Sequence, residues 1–314
     1  MGGYMLYFIV NEKSKSGNAK QIWKEIEEVL KVRNVSYQAF VSEYRGHAGK
    51  LATEICAMDD NDICLVAVGG DGTANEVING ITDFEKVRFG VIPTGSGNDL
   101  ARGLSLSKDP KNGVIHILNA MKKSREDTWC MDLGEVSLGE KKRLFAISAG
   151  IGLDALVCKK ALKSTIKDIL NKIRLGKLTY LVLTVQSLFT MQTADAEIFF
   201  DREEGLQKKR MIFTAAMNFK AEGGGVPMAP AASACDGKLS FCEAAGIPKW
   251  RTFLCLPFLV AAKHTSIHGF SVTDAKDCTI RLSRPMVVHA DGEYCGEVTE
   301  VHFHCLPGKL RVLK

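Results

Sequence analysis

Two glycine-rich stretches hold most of the residues that could do chemistry in this chain of 314 residues. The first, Gly69-Gly70-Asp71-Gly72-Thr73, follows the apolar run Ile63–Val68. The second, Pro93–Arg102 (PTGSGNDLAR), follows Arg88–Ile92. Glycines let a loop take positive φ and let a ligand approach the backbone. The amides that open the next helix then favour phosphate. A carboxylate in such a loop repels phosphate unless a metal ion or an acceptor hydroxyl lies between them. Asp71 therefore points to phosphoryl transfer rather than passive anion binding; the competing reading is a strand-to-helix turn with Asp71 as the helix N-cap. The second stretch offers the Ser96 hydroxyl, Asn98 and Asp99 where a helix should begin, and Arg102 one turn later; its plainer reading is a capped helix start. Neither is a Walker A loop or a G-x-G-x-x-G turn.

Four further stretches are weaker. Asn11–Asn18 (NEKSKSGN) has hydroxyls, lysines and Gly17 that suit phosphate or ribose, or is a solvated loop. Gly223–Leu239 combines three glycines in a row, two prolines and Asp236-Gly237. Asp236 with nearby carbonyls could hold a hard cation, or close an Asx turn. Asp291-Gly292-Glu293 reads as a hairpin turn, or as a carboxylate pair from a second domain facing the phosphate loops. In that case one carboxylate would take a proton from an acceptor hydroxyl and the other would order a metal. Lys159–Lys177 carries seven basic residues and one acid, with Leu162, Ile166, Ile169, Leu170 and Ile173 at helical spacing. This is a helix for an anionic membrane or one packed on its own domain. The histidines show no spacing of a triad or ligand set and read as structural; His302, His304 and Cys305 alternate as a strand would.

The elements that must position these residues change character along the chain. Strands Met5–Val10, Val35–Val41, Ile63–Val68 and Arg88–Ile92 alternate with helices Ala19–Lys31, His47–Met58 and Ala74–Ile81. Apolar strands separated by helices predict a parallel sheet covered on both faces, with ligands at the carboxyl ends of its strands. The loops Asn11–Gly17, Gly69–Thr73 and Pro93–Asn98 then share one rim. From Trp129 onward, Cys130–Val136, Arg143–Ser148, Ala196–Phe200, Lys209–Met217, Lys238–Glu243, Cys278–Leu282, Met286–His289 and Val298–His304 read as strands of a largely antiparallel domain. A helical insertion, about 156–186, and a helix Lys249–Ala262 interrupt them. The domains expected are 1–128 and 129–314, with the last strand open to returning to the first.

Composition is that of a globular protein, 46% hydrophobic and 25% charged, and the net charge of +5 is too weak to imply nucleic acid. Ten cysteines without C-x-x-C, and no export signal before the first strand, suggest a reducing cytosol. The longest apolar runs, Leu178–Phe189 and Phe253–Ala262, are short of the roughly 20 residues that span a bilayer. The expectation is a peripheral protein at the inner membrane surface.

In order, GGDGT with Ala74-Asn75-Glu76-Val77, PTGSGNDLAR, GGG…AP…DG-x-L and DGE resemble the soluble diacylglycerol kinase and sphingosine kinase superfamily, most closely the bacterial soluble lipid kinases. The resemblance runs from Asn11 to the carboxyl end; GGDGT alone is shared with NAD kinases. It implies a two-domain fold: an N-terminal α/β nucleotide-binding domain with an NAD-kinase-like parallel sheet, and a C-terminal, mainly antiparallel β-sandwich with a helical insertion. By motif, Asn11, Ser14, Gly17, Ser42, Gly69, Gly70, Asp71, Gly72, Thr73, Asn75, Glu76, Ser96 and Asp99 look like nucleotide contacts. Asp71 and Asp99 would join a carboxylate–water–metal network. Asp236 with the carbonyls of Ser233 and Lys238 matches a structural magnesium site. Asp291 and Glu293, with Asp71, match the catalytic set, Glu293 first as base. The implied activity is ATP- and Mg²⁺-dependent phosphorylation of a membrane lipid hydroxyl, diacylglycerol foremost. No nucleic-acid partner is expected and a homodimer stays open. The alternatives are an NAD kinase and a non-catalytic nucleotide- or lipid-binding regulator.

Overall fold

The computed structural model describes residues 5–14, 19–163, 176–201 and 204–314. The chain forms two units, Met1–Asp132 with Gly308–Lys314, and Leu133–Pro307.

In the first unit, strands β1 (Leu6–Val10), β2 (Tyr37–Val41), β3 (Ile63–Gly69) and β4 (Val87–Pro93) pair in parallel, in the order β2-β1-β3-β4. Every residue of β1, β3 and β4 is buried, as expected for a sheet covered on both faces. Helices α1 (Ala19–Val32) and α5 (Pro110–Ala120) cover one face: Trp23, Ile26, Val114 and Ile117 form one core with Phe8, Val66 and Ile92. Helices α2 (His47–Cys56), α3 (Asp71–Gly80) and the short α4 (Asp99–Gly103) complete the unit. Arg88, fully buried on β4, is held by a two-pronged ion pair to Asp62, 2.9 and 2.7 Å, and by the carbonyls of Met121 and Lys123. This satisfies a charge that could not otherwise be buried. The chain's end returns here: Arg311 and Val312 pair in parallel with Arg88 and Phe89.

The second unit is built from β5 (Trp129–Leu138, which begins in the first unit), β6 (Lys141–Phe145), β7 (Ser148–Gly152), β8 (Ala194–Phe200), β9 (Leu206–Met211), β10 (Phe213–Met217), β11 (Leu239–Ala244), β12 (Phe270–Ala275), β13 (Asp277–Ala290) and β14 (Glu293–Val312). All register pairs within it are antiparallel, with the run β12-β11-β10-β7-β13-β14, β8 beside β13, β9 beside β8, and β6 beside β5. Its described residues also include helices α6 (Leu153–Lys163), α7 (Gly176–Thr190) and α8 (Lys249–Val260). The two-domain reading, α/β with a parallel sheet followed by a mainly antiparallel β domain, holds.

Several element boundaries differ from the sequence reading, each for a local reason. Helix α3 begins at Asp71, not Ala74, so Gly72 and Thr73 lie in its first turn. The stretch Arg143–Ser148 is not one strand, because the amides of Ala146, Ile147 and Ser148 are taken by a side chain. Cys278–Leu282 and Met286–His289 are one strand, irregular between Arg281 and Met286 around Pro285, which has no amide to donate. Strand β12 has no counterpart in the sequence reading: Phe270–Thr273 are all half-buried and Asp274 is exposed, with no alternation before buried Ala275. Of the insertion, 164–175 fall outside the described residues.

Candidate active site

Register brings the three loops of the first unit to one rim: Val10 lies beside Val68, and Gly69 beside Pro93. Asn11 Nδ2 donates to Thr73 Oγ1 at 3.0 Å, and the Ser14 and Thr94 hydroxyls are hydrogen-bonded. The first loop is thus stitched to both others. The Ser42 amide donates to the Val10 carbonyl at 2.9 Å, which places buried Ser42 at the same rim. Gly46 N donates to Glu76 Oε1 at 2.8 Å, tying the start of α2 to α3. Gly17 lies outside the described residues.

The two glycine stretches touch. A Cβ on Gly95 would come within 2.7 Å of the Gly70 Cα, so no side chain fits there. Asp71 is neither the N-cap nor a bare loop residue. Gly70 caps α3 without a side-chain bond, and Asp71 Oδ1 accepts the Leu100 amide of the other stretch at 3.1 Å. Asn98, at φ 52°, is clasped to Gly95 by two 2.9 Å bonds, its Oδ1 accepting from Gly95 N and its Nδ2 donating to Gly95 O. Arg102 pairs with Asp99 and donates to the Gly97 carbonyl at 2.9 Å. Gly97 gives a measure of the two carboxylates: a Cβ there would lie 3.0 Å from Asp71 Oδ2 and 3.7 Å from Asp99 Oδ2. Two carboxylate oxygens therefore flank one glycine at the junction of the stretches. Ser96 is exposed beside them and Asn75 is buried in α3. An all-oxygen set of this kind suits a hard divalent cation.

In the second unit the DGE motif is a hairpin turn. Ala290 pairs with Glu293 across it, and Asp291 and Gly292 both have positive φ, 47° and 81°, as a type I′ turn requires. The Asp291 carboxylate is engaged by three backbone amides: Oδ2 accepts from Ala146 at 2.8 Å, Oδ1 from Ile147 at 2.8 Å and from Ser148 at 3.1 Å. These bonds fasten the turn to the β6–β7 connection and give Asp291 a positioning part. Glu293, partly exposed, is the first residue beyond the turn.

Beneath the turn lies a polar group that sequence reasoning missed. Buried His289 accepts the Gly292 amide at Nδ1, 3.2 Å, and its Nε2 meets Asp154 Oδ2 at 3.1 Å. Glu222, just before the glycine triplet, takes the Ser148 hydroxyl. Burial pushes the His289 imidazole down, but the hydrogen bond and charge of Asp154, with Glu222 and Asp291, outweigh it and raise its pKa above the usual value. The only sequence signal was an acid beside the triplet Gly223–Gly225. Three histidines nevertheless have carboxylate partners that their spacing did not show: His289 has two carboxylate neighbours, and His302 and His304 share Asp277. Asp236 Oδ1 accepts the Lys238 amide at 3.1 Å, the Asx turn considered above, with Gly237 at φ 75° and Ser233 two residues before Cys235, whose thiol its hydroxyl meets.

Comparison with known proteins gives this geometry its context. Residues 5–136 match the diacylglycerol kinase catalytic domain, and residues 148–314 match the YegS C-terminal NAD kinase beta sandwich-like domain. A Bacillus subtilis protein named provisionally as lipid kinase YtlR is 29% identical over 311 residues, 98% of each chain. Diacylglycerol kinase of the same organism is 27% identical over 256 residues, 80% of this chain and 76% of that one. Among solved structures, a Bacillus anthracis protein assigned provisionally as a diacylglycerol kinase superposes with TM-score 0.77 at 20% identity, over 99% of this chain and 97% of that one. An NAD kinase from Archaeoglobus fulgidus in complex with ATP superposes at 0.54 and 14% identity, over 99% and 94%, a likeness of fold.

Proposed function

The chain belongs to the diacylglycerol kinase family of lipid kinases, and from that premise we propose that it transfers the γ-phosphoryl group of ATP to the hydroxyl of a membrane diacylglycerol. The observation that carries the reading is the pair Asp71 and Asp99, flanking Gly97 where the two glycine stretches meet. Gly69–Thr73 would hold the phosphates of ATP, which the free amides that open a helix such as α3 favour. Asn11, Ser14, Ser42, Asn75, Glu76 and Ser96 line or brace the same rim. Asp71 and Asp99 would hold Mg²⁺. When bound, Mg²⁺ offsets the charge gathering on the transferred phosphoryl. Glu293 accepts the proton of the acceptor hydroxyl, and Asp291 and His289 hold the turn that presents it. This answers why a carboxylate sits among glycines: Asp71 clasps the second stretch with one oxygen and leaves the other beside Gly97.

The lipid reading has its own support. Helix α8 exposes Trp250, Phe253, Leu254 and Phe258, and Phe253 packs 6.1 Å from Phe189 of α7, also exposed. Lys249, Arg251 and Lys263 border this apolar face. Such a surface suits contact with an anionic bilayer, and we place the enzyme peripherally at the cytoplasmic leaflet, where its two substrates meet. Among the described residues no helix is long and apolar enough to cross a membrane.

The test is transfer of labelled γ-phosphate from ATP in mixed micelles with Mg²⁺. Diacylglycerol, a sphingoid base, phosphatidylglycerol and an isoprenoid alcohol are offered separately, with NAD as soluble control and Glu293→Gln as blank. Label on diacylglycerol, lost in the blank, supports the proposal. Label on another lipid corrects the acceptor, and label on NAD alone overturns the reading.

A further inference from the structure

A second cluster of ligating side chains lies outside this machinery, on the ladder between β13 and β14. Val301, Phe303 and Cys305 point into the core, so His302 and His304 share the outer face of β14. Opposite them in register stand Thr279 and Asp277, with Asp277 beside His304 and Thr279 beside His302. The two imidazoles lie nearly parallel, 18° between planes and 6.4 Å between centroids. Both turn a nitrogen to one carboxylate oxygen: His304 Nδ1 is 2.6 Å and His302 Nε2 3.4 Å from Asp277 Oδ1. One atom of each of the three residues thus falls within a 4.8 Å span.

The surroundings hold this arrangement in place. His302 Nδ1 bonds the Thr279 hydroxyl at 2.9 Å, which fixes the ring and leaves Nε2 aimed at Asp277. The Asp201 carboxylate accepts the amides of Lys276 and Asp277, 3.0 and 2.7 Å, and the Lys276 carbonyl accepts the Cys305 amide at 2.8 Å. The backbone on both sides of the cluster is therefore pinned. Metal-ligating histidines characteristically have such an outer partner on the second ring nitrogen.

We propose that Asp277, His302 and His304 form a binding site for a borderline divalent transition ion, Zn²⁺ foremost, bridging β13 and β14. The ligand set is two imidazoles and one carboxylate, with the remaining positions open to water. Imidazole favours Zn²⁺, Ni²⁺, Co²⁺ or Cu²⁺ over the oxygen-seeking Mg²⁺, so the site is chemically distinct from the one assigned to catalysis. Its natural effect is to cross-link two strands of the β domain.

The test is isothermal titration of the full chain with Zn²⁺ in excess Mg²⁺, without ATP or lipid, so its result does not depend on the kinase reading. A background of Cys130→Ser and Cys235→Ser removes the two exposed thiols. One equivalent should bind, and Co²⁺ in its place should give d–d absorption without thiolate charge-transfer bands. His302→Ala and His304→Ala should each weaken binding by more than about 100-fold, and Thr279→Val by roughly 10–100-fold, the usual cost of an outer partner. Should His304→Ala fold poorly, His304→Gln serves the same comparison. Absence of saturable binding, or an affinity unchanged in both histidine variants, overturns the proposal, as does loss of binding in the background lacking Cys130 and Cys235.

Discussion

Replacing Asp291 separates positioning from proton transfer. Its carboxylate accepts three backbone amides, from Ala146, Ile147 and Ser148. Hydrogen bonds to a charged group are each worth about 1.5–3 kcal/mol, so the three together set a ceiling of roughly 4–9 kcal/mol. Asp291 is partly exposed, and water will re-solvate some of the amides. The expected loss for Asp291→Ala is therefore about 3–5 kcal/mol, including about 1 kcal/mol for placing alanine at positive φ. Asp291→Asn tolerates that backbone but exchanges one acceptor oxygen for an amide that must face a donor N–H. It should lose about 2–3 kcal/mol. Such losses are a large share of the 5–15 kcal/mol typical of a domain. The assay is urea unfolding followed by tryptophan fluorescence, run beside lipid-kinase turnover. Glu293→Gln is the counterpart: stability within about 0.5 kcal/mol of the parent, and turnover down roughly 10²–10⁴-fold. If Asp291→Asn keeps the parent's stability yet loses turnover as Glu293→Gln does, Asp291 acts on the substrate and the positioning argument fails.

Two more predictions follow from the same geometry. Asp71→Asn can still accept the Leu100 amide, so it should fold within about 1 kcal/mol of the parent while turnover falls about 10²–10³-fold; Asp71→Ala should lose a further 1.5–3 kcal/mol or so in urea unfolding because that amide is orphaned. Since His289 binds its proton more tightly folded than unfolded, its contribution is complete below pH about 6.5 and is lost as pH rises through the raised value. The stability difference between the parent and His289→Gln, measured by urea unfolding from about pH 6 to 8, should therefore shrink as pH rises; a flat difference would refute the shift.

What the sequence revealed, and what it hid, divides along physical lines. The strands of the first unit were legible because a sheet buried on both faces needs uninterrupted apolar runs, and Ile63–Gly69 and Val87–Pro93 are such runs. The junction of the glycine stretches was legible as chemistry but not as geometry. Glycine argues for loop, yet Gly72 lies in the first turn of α3, and the bond from Leu100 to Asp71 links residues far apart in the chain. The partners of Asp291 lie more than 140 residues earlier, and no local pattern announces an acceptor for them. Spacing alone made His302 and His304 an alternating strand; only the register with β13 adds Asp277. His289 likewise gains Asp154 from a distant helix.

The return of Gly308–Lys314 to the first unit has a consequence for biosynthesis. On the ribosome, β4 emerges with one edge unpaired, and its partner residues Arg311 and Val312 follow only after all of the second unit. At roughly 5–20 residues per second, that interval is on the order of 10–40 s. Throughout it the nascent sheet offers a buried-type apolar strand with open hydrogen-bonding groups, the kind of edge that recruits other chains. Closing it buries Leu310, Val312 and Leu313, so the final residues act as a late seal. Chaperone dependence should therefore concentrate on the interval before that seal is made.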